Sequence, residues 1–357
     1  MSGTLSRYLA REIVAASLLV LTALLMLWAF YDFLQDLPAY RALNVAQVLV
    51  LVASAVPNYL YELIPVAALI GTLFALAQLS ASSEYAVMRT SGVSALQIAR
   101  TVALVGLGFA VIVFVIGEYV VPRTEQAAQR IRAVSGSKPP VARAFQSGYW
   151  FRDGTTFINI GSVLPDGVLR TVRVFEFGED YTLSRMVTAE SARFQTGQQW
   201  QLTQVVETRF QGARPQLLHH AQQPWLTVLT PNMLSVLQVT PDKLPVAGLV
   251  EYAGHLKANQ QDARRFDVAL WGKFFYPLAT CVLMVLAMPF AQIQQRAGGV
   301  GGRIFVGILL GLVFIVVNRL FSYLTLIYAW PAFVGALLPG ALFLSIAAWL
   351  MWRIERR

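Results

Sequence analysis

The stretch that decides the fold is residues 304–328, which reads IFVGILLGLVFIVVNRLFSYLTLIY. Only one of these residues, Arg319, carries a charge. About 20 apolar residues are enough for a helix to cross the hydrocarbon core of a bilayer. The stretch therefore predicts a transmembrane helix. Gly307 and Gly311 within it form the small-xxx-small pattern that lets two helices pack closely.

Other parts of the chain carry the same signature of long apolar runs poor in charge. The run from residue 45 to 79 contains Pro57 and Pro65, which predict an interfacial or tilted segment before a span. The first run is read as an uncleaved span, because no small-x-small cleavage site follows it. The predicted spans, in addition to 304–328, are residues 13–34, about 62–79, 101–121, 268–290 and 333–352.

Composition supports a membrane protein and excludes several functions. The chain is 56% hydrophobic and 13% charged, whereas soluble domains are about 25% charged. Its net charge of +9 is scattered, which favours anionic lipid over nucleic acid as a partner. Cys281 has no second cysteine to pair with, and the histidines lack zinc spacing. With no phosphate-binding loop and no catalytic constellation, we predict neither an enzyme nor a cofactor.

Orientation follows from arginine in the short loops. Such residues concentrate on the cytoplasmic side of a membrane protein. Only Arg41 falls in a short loop on one side. The other side holds Arg7, Arg11, Arg89, Arg100, Arg296, Arg303, Arg353, Arg356 and Arg357. Both termini are therefore predicted in the cytoplasm, and the long segment between spans three and four in the periplasm.

That long segment has the period-two pattern of β-strands. Apolar Trp200, Leu202, Val206 and Phe210 alternate with polar residues, which predicts a half-buried strand. Asp153-Gly154 predicts a hairpin turn. Further turns are predicted at residues 165–167, 178–180 and 196–197, and a short helix at 249–257. Repeated strands and turns predict an antiparallel sandwich or β-jellyroll.

The predicted fold is thus an α-helical membrane protein with a β insertion: six transmembrane helices plus a periplasmic β-jellyroll-like domain between spans three and four. Residues 1–135 are predicted to form spans one to three with a cytoplasmic helix at about 82–92. Residues 136–248 are predicted to form the β-jellyroll domain, and residues 249–357 to form spans four to six.

The loop at 82–92 predicts a short helix, since serines favour a helix start and Gly92 suits its end. We expect this helix to expose Tyr85, Val87 and Met88, which is costly unless something covers them. One interpretation is a helix lying on lipid headgroups. The other is a coupling helix inserted into a partner ATPase. The candidate contact residues are Ser83, Glu84, Tyr85, Val87, Met88 and Arg89.

Several ionisable residues fall near the outer ends of the spans, where charge is costly and usually faces a bundle interior or cavity. They are Asp32, Glu62, Glu118, Lys273 and Arg319. Lys273 and Arg319 both fall toward the outer leaflet, where they could meet one lipid headgroup. The alternative for Lys273 is a structural pair with Glu118.

At this point the sequence resembles a known family. The residues that carry the likeness are Arg7-Tyr8, IPVAALIG (64–71), SEYAVM (83–88) with Ser91-Gly92, GEYVVP (117–122) with Glu125-Gln126, GYW (148–150), SARF (191–194), WGK (271–273) with Pro277-Leu278, and LTLIY (324–328) with GALLP (335–339). Together they resemble the lipopolysaccharide export permeases, in particular the G-type rather than the F-type paralogues. The likeness covers essentially the whole chain.

The resemblance implies partners and sites in a bacterial inner membrane. It implies an F-type paralogous permease, a cytoplasmic ATPase dimer, a single-span periplasmic bridge protein, and lipopolysaccharide held between the two permeases. Gates are implied at spans one and five, and the coupling helix at 82–92. Arg132 matches a family arginine proposed to meet the lipid's anionic groups. Family members carry lysines where this chain has Asp32, Gln35, Asp36 and Asn58.

The implied function is that of a permease subunit that extracts lipopolysaccharide from the inner membrane and passes it to a periplasmic bridge toward the outer membrane. ATP hydrolysis is expected in a separate subunit. The alternative is a mechanotransmitting ABC membrane scaffold, which carries ATPase motion without a lipid cavity.

Overall fold

The computed structural model describes residues 3–40, 44–134, 149–164, 167–178, 180, 182–196, 199–210, 215–230, 240–293 and 300–356. The chain divides into two compact units. Met1–Thr124 and Arg264–Arg357 form the first, here called the membrane unit, and Glu125–Ala263 form the second, the β unit.

The helices account for most of the membrane unit. In chain order the α-helices of the described residues are α1 (Gly3–Tyr40), α2 (Val45–Ala81), α3 (Glu84–Thr90), α4 (Ala95–Val115), α5 (Val121–Val134), α6 (Val246–Ala258), α7 (Arg264–Ile293), α8 (Val300–Tyr328) and α9 (Ala332–Glu355). Within the described ranges six helical segments are long and apolar enough to cross a membrane, which confirms the six predicted spans.

The centre of the membrane unit is α2. Its most apolar stretch is 78% buried, against 17% for the corresponding stretches of α1 and α8. The predicted break at Pro57 and Pro65 is wrong, because α2 runs unbroken through both prolines. A proline is tolerated inside a membrane helix when neighbours satisfy the backbone groups it frees. In the turn before Pro65, next to the Tyr61 carbonyl that this proline leaves without its helical donor, the Tyr276 hydroxyl of α7 donates to the Glu62 carbonyl at 3.0 Å.

Span three is longer than predicted. A π-helical turn at Ile116–Val120 joins α4 directly to α5, so the helix does not end at Val121. Pro122 does not stop it, because a carbonyl that a proline leaves without an N–H donor can be satisfied by a neighbouring helix, as the Gly117 carbonyl is by Lys273 of α7. The apolar segment extends over Ala95–Ala128.

Small residues let the helices of the membrane unit approach one another closely. Such packing matters in a bilayer, because lipid tails are as apolar as the side chains and the hydrophobic effect does not hold the helices together. A Cβ added at Gly71 of α2 would overlap the backbone and hydroxyl of Ser17 in α1. A Cβ added at Gly106 of α4 would lie 2.8 Å from the Cα of Cys281 in α7. These contacts join the helices backbone to backbone.

The β unit contains one antiparallel sheet whose strands pair in chain order. They are β1 (Tyr149–Asp153), β2 (Thr156–Val163), β3 (Leu169–Phe177), β4 (Leu183–Thr196), β5 (Gln199–Arg209) and β6 (Gln216–Leu226). The β insertion and the Asp153-Gly154 hairpin are confirmed, since Asp153 pairs with Thr156. The described strands form an up-and-down meander, whereas jellyroll strands cross between two sheets. The predicted short helix is present as α6.

Backbone irregularities lie on one transverse line across the sheet and make part of the strand prediction wrong. Val205 and Glu207 of β5 are buried, not Val206 and Phe210. The reason is Gln204, whose φ of 53° shifts the alternation of inward and outward side chains by one residue. Thr171 of β3 has a φ of 54° on the same line. On each of β3, β4 and β5 a buried residue lies on either side of this line. They are Leu169 and Val172 on β3, Ala189 and Ala192 on β4, and Leu202 and Val205 on β5.

The β unit buries the carboxylate of Glu207 near the ends of β4 and β5. Glu207 is 1% exposed and accepts hydrogen bonds from Arg185 at 3.0 Å and Arg209 at 2.6 Å. Arg185 also bonds Glu176 at 3.0 Å. Burial by itself would raise the pKa of Glu207, but the bonds and charges of the two arginines outweigh it and lower the pKa to about 2.

Candidate functional site

The predicted coupling segment forms a short helix, α3, directly after α2. Its start is strained, because Ser83 has a φ of 63°, which side chains other than glycine rarely adopt. The Ser83 side chain does not cap the helix. At the other end Gly92 takes a φ of 86° and Arg89 donates to the Val93 carbonyl at 3.2 Å.

The exposed face of α3 is narrower than predicted. Met88 is only 6% exposed and Tyr85 is half-buried against the same apolar core, so the prediction that both are exposed is wrong. Residues three apart share one helix face, which turns Tyr85 and Met88 toward the bundle together. Val87 stays 61% exposed. Val87 is therefore the apolar residue that α3 presents outward.

Glu84 is the most heavily bonded side chain of this segment. The Ser82 hydroxyl donates to its Oε1 at 3.1 Å. The Tyr8 hydroxyl donates to its Oε2 at 3.0 Å, although Tyr8 lies 76 residues earlier, in α1. The carboxylate thus joins the start of α3 to the first turns of span one.

Lys273 lies inside the bundle and not at its surface. It is 4% exposed, and its ammonium donates to the Gly117 carbonyl at 2.6 Å. Gly117 belongs to the π-helical turn, whose wider winding leaves carbonyls free to accept from outside the helix. A Cβ at Gly117 would lie 2.5 Å from the Tyr61 ring, so only glycine fits there.

Arg319 lies on an exposed part of α8. It and Glu62 of α2 both lie within electrostatic range of the Tyr276 hydroxyl. Asn58 donates to the Glu62 carboxylate at 3.4 Å. The structure therefore brings Arg319, Glu62 and Asn58 toward Tyr276 of α7, whereas Lys273 is buried at the contact with the π-helical turn.

The remaining candidates are less completely described. Arg132 lies on α5, but its side chain is outside the described residues. Asp32 is half-buried on α1, and the side chain of Asp36 is outside the described residues.

Gly307 and Gly311 face α2, where added Cβ atoms would lie 3.0 Å from Ile70 and 2.7 Å from Val66. Small size at these two positions brings α8 close to α2.

Sequence reasoning missed two residues that organise these sites. Tyr8 and Tyr276 each donate a hydroxyl to a group on another helix. An amphipathic tyrosine in an apolar helix resembles an ordinary interfacial side chain. No local pattern identifies its partner across such a sequence separation.

Taken together, the described residues define a multi-pass membrane protein with six candidate spans and an antiparallel β insertion. Of the ionisable side chains within its candidate spans, Lys273 is buried at a helix contact, whereas Arg319 is exposed. Such residues in spans mark pathways for polar or charged substrates. The architecture is that of a permease component.

Comparison with known proteins identifies the family. The model of the lipopolysaccharide export system permease LptF/LptG matches residues 7–353, so the chain belongs to this family. It is 33% identical over 360 residues to the lipopolysaccharide export system permease protein LptG of Escherichia coli strain K12, covering 98% of both chains. It is 30% identical over 358 residues to LptG of Haemophilus influenzae, covering 99% of both.

Proposed function

We propose that this permease extracts lipopolysaccharide from the outer leaflet of the inner membrane and passes it to a periplasmic bridge protein, driven by a separate cytoplasmic ATPase dimer. The observation that carries the proposal is the family match over nearly the whole chain. The G-type relatives support an F-type paralogue as the second permease. The charge asymmetry of the short loops supports cytoplasmic termini and a periplasmic β unit.

The lipid pathway is proposed to lie against α1 and α8. Both helices leave large apolar side chains exposed, including Met26 and Phe30 on α1 and Val316 on α8. Removing acyl chains from a bilayer costs about 0.8 kcal/mol per CH₂. An apolar cavity completed by the paralogous permease offsets most of this cost. The Gly307 and Gly311 contact lets α8 approach α2 closely, which suits a gate helix.

The headgroup contact is proposed at Arg319, with Arg132 as a second candidate. Arg319 is exposed and can reach an anionic phosphate, whereas the ammonium of Lys273 already donates to a carbonyl inside the bundle. We therefore propose that Lys273 holds the π-helical turn in place. The carboxylate of Asp32 on α1 disfavours phosphate beside that helix, which moves the contact toward α8.

The ATPase is proposed to dock on α3. Val87 supplies an exposed apolar contact, and Glu84 supplies a carboxylate that an arginine of the ATPase can bind bidentately. Tyr85 and Met88 fix α3 to the bundle instead of contacting the partner. Val87→Asp should therefore release the ATPase while the permease stays folded.

The function is tested by purifying the chain with its paralogue and the ATPase. Mass spectrometry of the lipids that co-purify should find lipopolysaccharide enriched over phospholipid relative to the membrane extract. A complex that hydrolyses ATP but never enriches lipopolysaccharide would support the scaffold alternative.

A further inference from the structure

The bond between Tyr8 and Glu84 connects the proposed docking helix to the proposed gate helix. The two acceptor oxygens of Glu84 are shared between Ser82 and Tyr8. Ser82 belongs to the turn that leads into α3, whereas Tyr8 belongs to α1. A displacement of α3 can therefore be transmitted to span one through the hydrogen bond between Tyr8 and Glu84.

The backbone at this point is under strain. Ser83, between Ser82 and Glu84, has a φ of 63° and a ψ of 0°, and its side chain makes no capping bond. Such a conformation persists only where surrounding contacts hold it, and it is frequent in segments that move. The contacts that hold it here include both bonds to Glu84. Loosening either bond favours rearrangement of the turn.

Span one is built to transmit a displacement at Tyr8. It is one unbroken helix from Gly3 to Tyr40. It approaches α2 closely where the backbone of Ser17 meets Gly71. At 1.5 Å per residue, this contact lies about 14 Å from Tyr8 and about 26 Å from Leu34. A small movement at Tyr8 therefore becomes a larger movement at the opposite end of the helix.

We propose that Tyr8 is a positioning residue that couples α3 to span one, so that movement of the docked ATPase tilts α1 about the Ser17–Gly71 contact. The inference rests on the proposed docking of the ATPase at α3. Tyr8 itself touches neither the ATPase nor the lipid. Its loss should uncouple ATP hydrolysis from lipid movement without preventing docking.

The test uses the full complex in proteoliposomes that contain lipopolysaccharide. Three quantities are measured: ATPase affinity for the permease, the ATP hydrolysis rate, and lipopolysaccharide released per ATP. Tyr8→Phe removes only the hydroxyl. We expect affinity to change less than about twofold, and lipid released per ATP to fall about fivefold, the size of one charge-assisted hydrogen bond at a partly exposed site.

Three variants sharpen the result. Glu12→Gln removes a carboxylate that also acts on Tyr8 electrostatically but forms no bond with it in the described structure, and it should leave coupling unchanged. Tyr8→Lys restores a donor to Glu84 and should recover most of the lost coupling. In a Glu84→Gln background, Tyr8→Phe should cost less than about twofold, because the two side chains act through one bond.

The outcomes separate this inference from the proposed function. Unchanged lipid release per ATP in Tyr8→Phe, or a full fivefold loss persisting in the Glu84→Gln background, would overturn the role of Tyr8. Loss of ATPase affinity in Tyr8→Phe as large as in Glu84→Gln would overturn it too, since Tyr8 would then act only on docking. If Val87→Asp and Glu84→Gln both leave docking intact, the proposed docking surface fails instead.

Discussion

The membrane unit and the β unit each bury a charged side chain, but they stabilise it in different ways. Lys273 donates to a backbone carbonyl freed by a π-helical turn. Glu207 is held by two arginines that remain partly exposed. The surroundings of Glu207 explain its partners, because the ends of strands near water can supply arginines that stay partly exposed. Both units have a core of large apolar side chains, and the membrane unit adds close helix contacts at glycines.

The largest effect is expected from breaking a backbone contact of the membrane unit. Gly71→Val places a side chain onto the backbone of Ser17. Because backbone cannot move aside as a side chain can, we expect more than about 3 kcal/mol of destabilisation and misassembly of α1. Yield of folded protein and thermal denaturation in detergent measure this. Gly108→Val is the matched control, since a Cβ at Gly108 meets nothing within 4 Å. Equal loss in both variants would contradict the packing account.

In the β unit the largest single-charge effect is expected at Glu207. Glu207→Gln leaves Arg185 and Arg209 without their shared carboxylate. We expect about 2–4 kcal/mol of destabilisation, less than for a fully buried pair because both arginines reach solvent. Hydrogen exchange of β4 and β5 in the full chain should increase. Glu190→Gln, on the exposed side of β4, is the control and should leave exchange unchanged.

The same carboxylate predicts a pH dependence. Its folded-state pKa of about 2 lies below the ordinary value of 4.5. The stabilisation is therefore complete above about pH 5 and declines as pH falls from 4.5 toward 2. The protection of β5 amides from hydrogen exchange should decrease between pH 4.5 and 2 in the unsubstituted protein. The decrease should be smaller in Glu207→Gln. An identical decrease in both proteins would show that other groups cause it.

A smaller effect is expected at Lys273. Lys273→Met keeps the length of the side chain but removes the donor to Gly117. The unsatisfied carbonyl should cost about 1–2 kcal/mol, visible as a lower melting temperature in detergent. Photo-crosslinking of lipopolysaccharide should be retained. Loss of crosslinking at an unchanged melting temperature would instead support Lys273 as a headgroup contact.

A substitution at Arg319 should affect the stability of the fold least and should weaken lipopolysaccharide binding. Arg319→Ala should leave the melting temperature unchanged, because the side chain is exposed. Binding of lipopolysaccharide should weaken by about tenfold or more, as one charge-assisted contact to phosphate contributes about 1.5–3 kcal/mol. Titration of lipid-stimulated ATP hydrolysis measures it, with Arg319→Lys as a variant that should recover part of the affinity.

The sequence predicted the features that depend on local composition. Span number and the Asp153-Gly154 hairpin follow from apolar length and turn residues, and both are confirmed. The continuity of α2 through Pro65 was not predictable, because it depends on packing by neighbouring helices such as the Tyr276 contact. Glu207 points inward because Gln204 has a positive φ. A glutamine in the sequence does not predict that backbone conformation. The bond between Tyr8 and Glu84 joins positions with no local relation.

Photo-crosslinking tests the central claim most directly, with benzoylphenylalanine placed at single positions in the complex with the paralogue and the ATPase. Phe30 of α1 and Tyr323 of α8 are exposed on the proposed gate helices, and Leu337 of α9 is an exposed control away from them. We expect lipopolysaccharide to crosslink at Phe30 and Tyr323, to be released from both when ATP is added, and to be scarce at Leu337. Equal crosslinking at all three positions, unaffected by ATP, would mean that the lipid only surrounds the protein, and would contradict extraction through these helices.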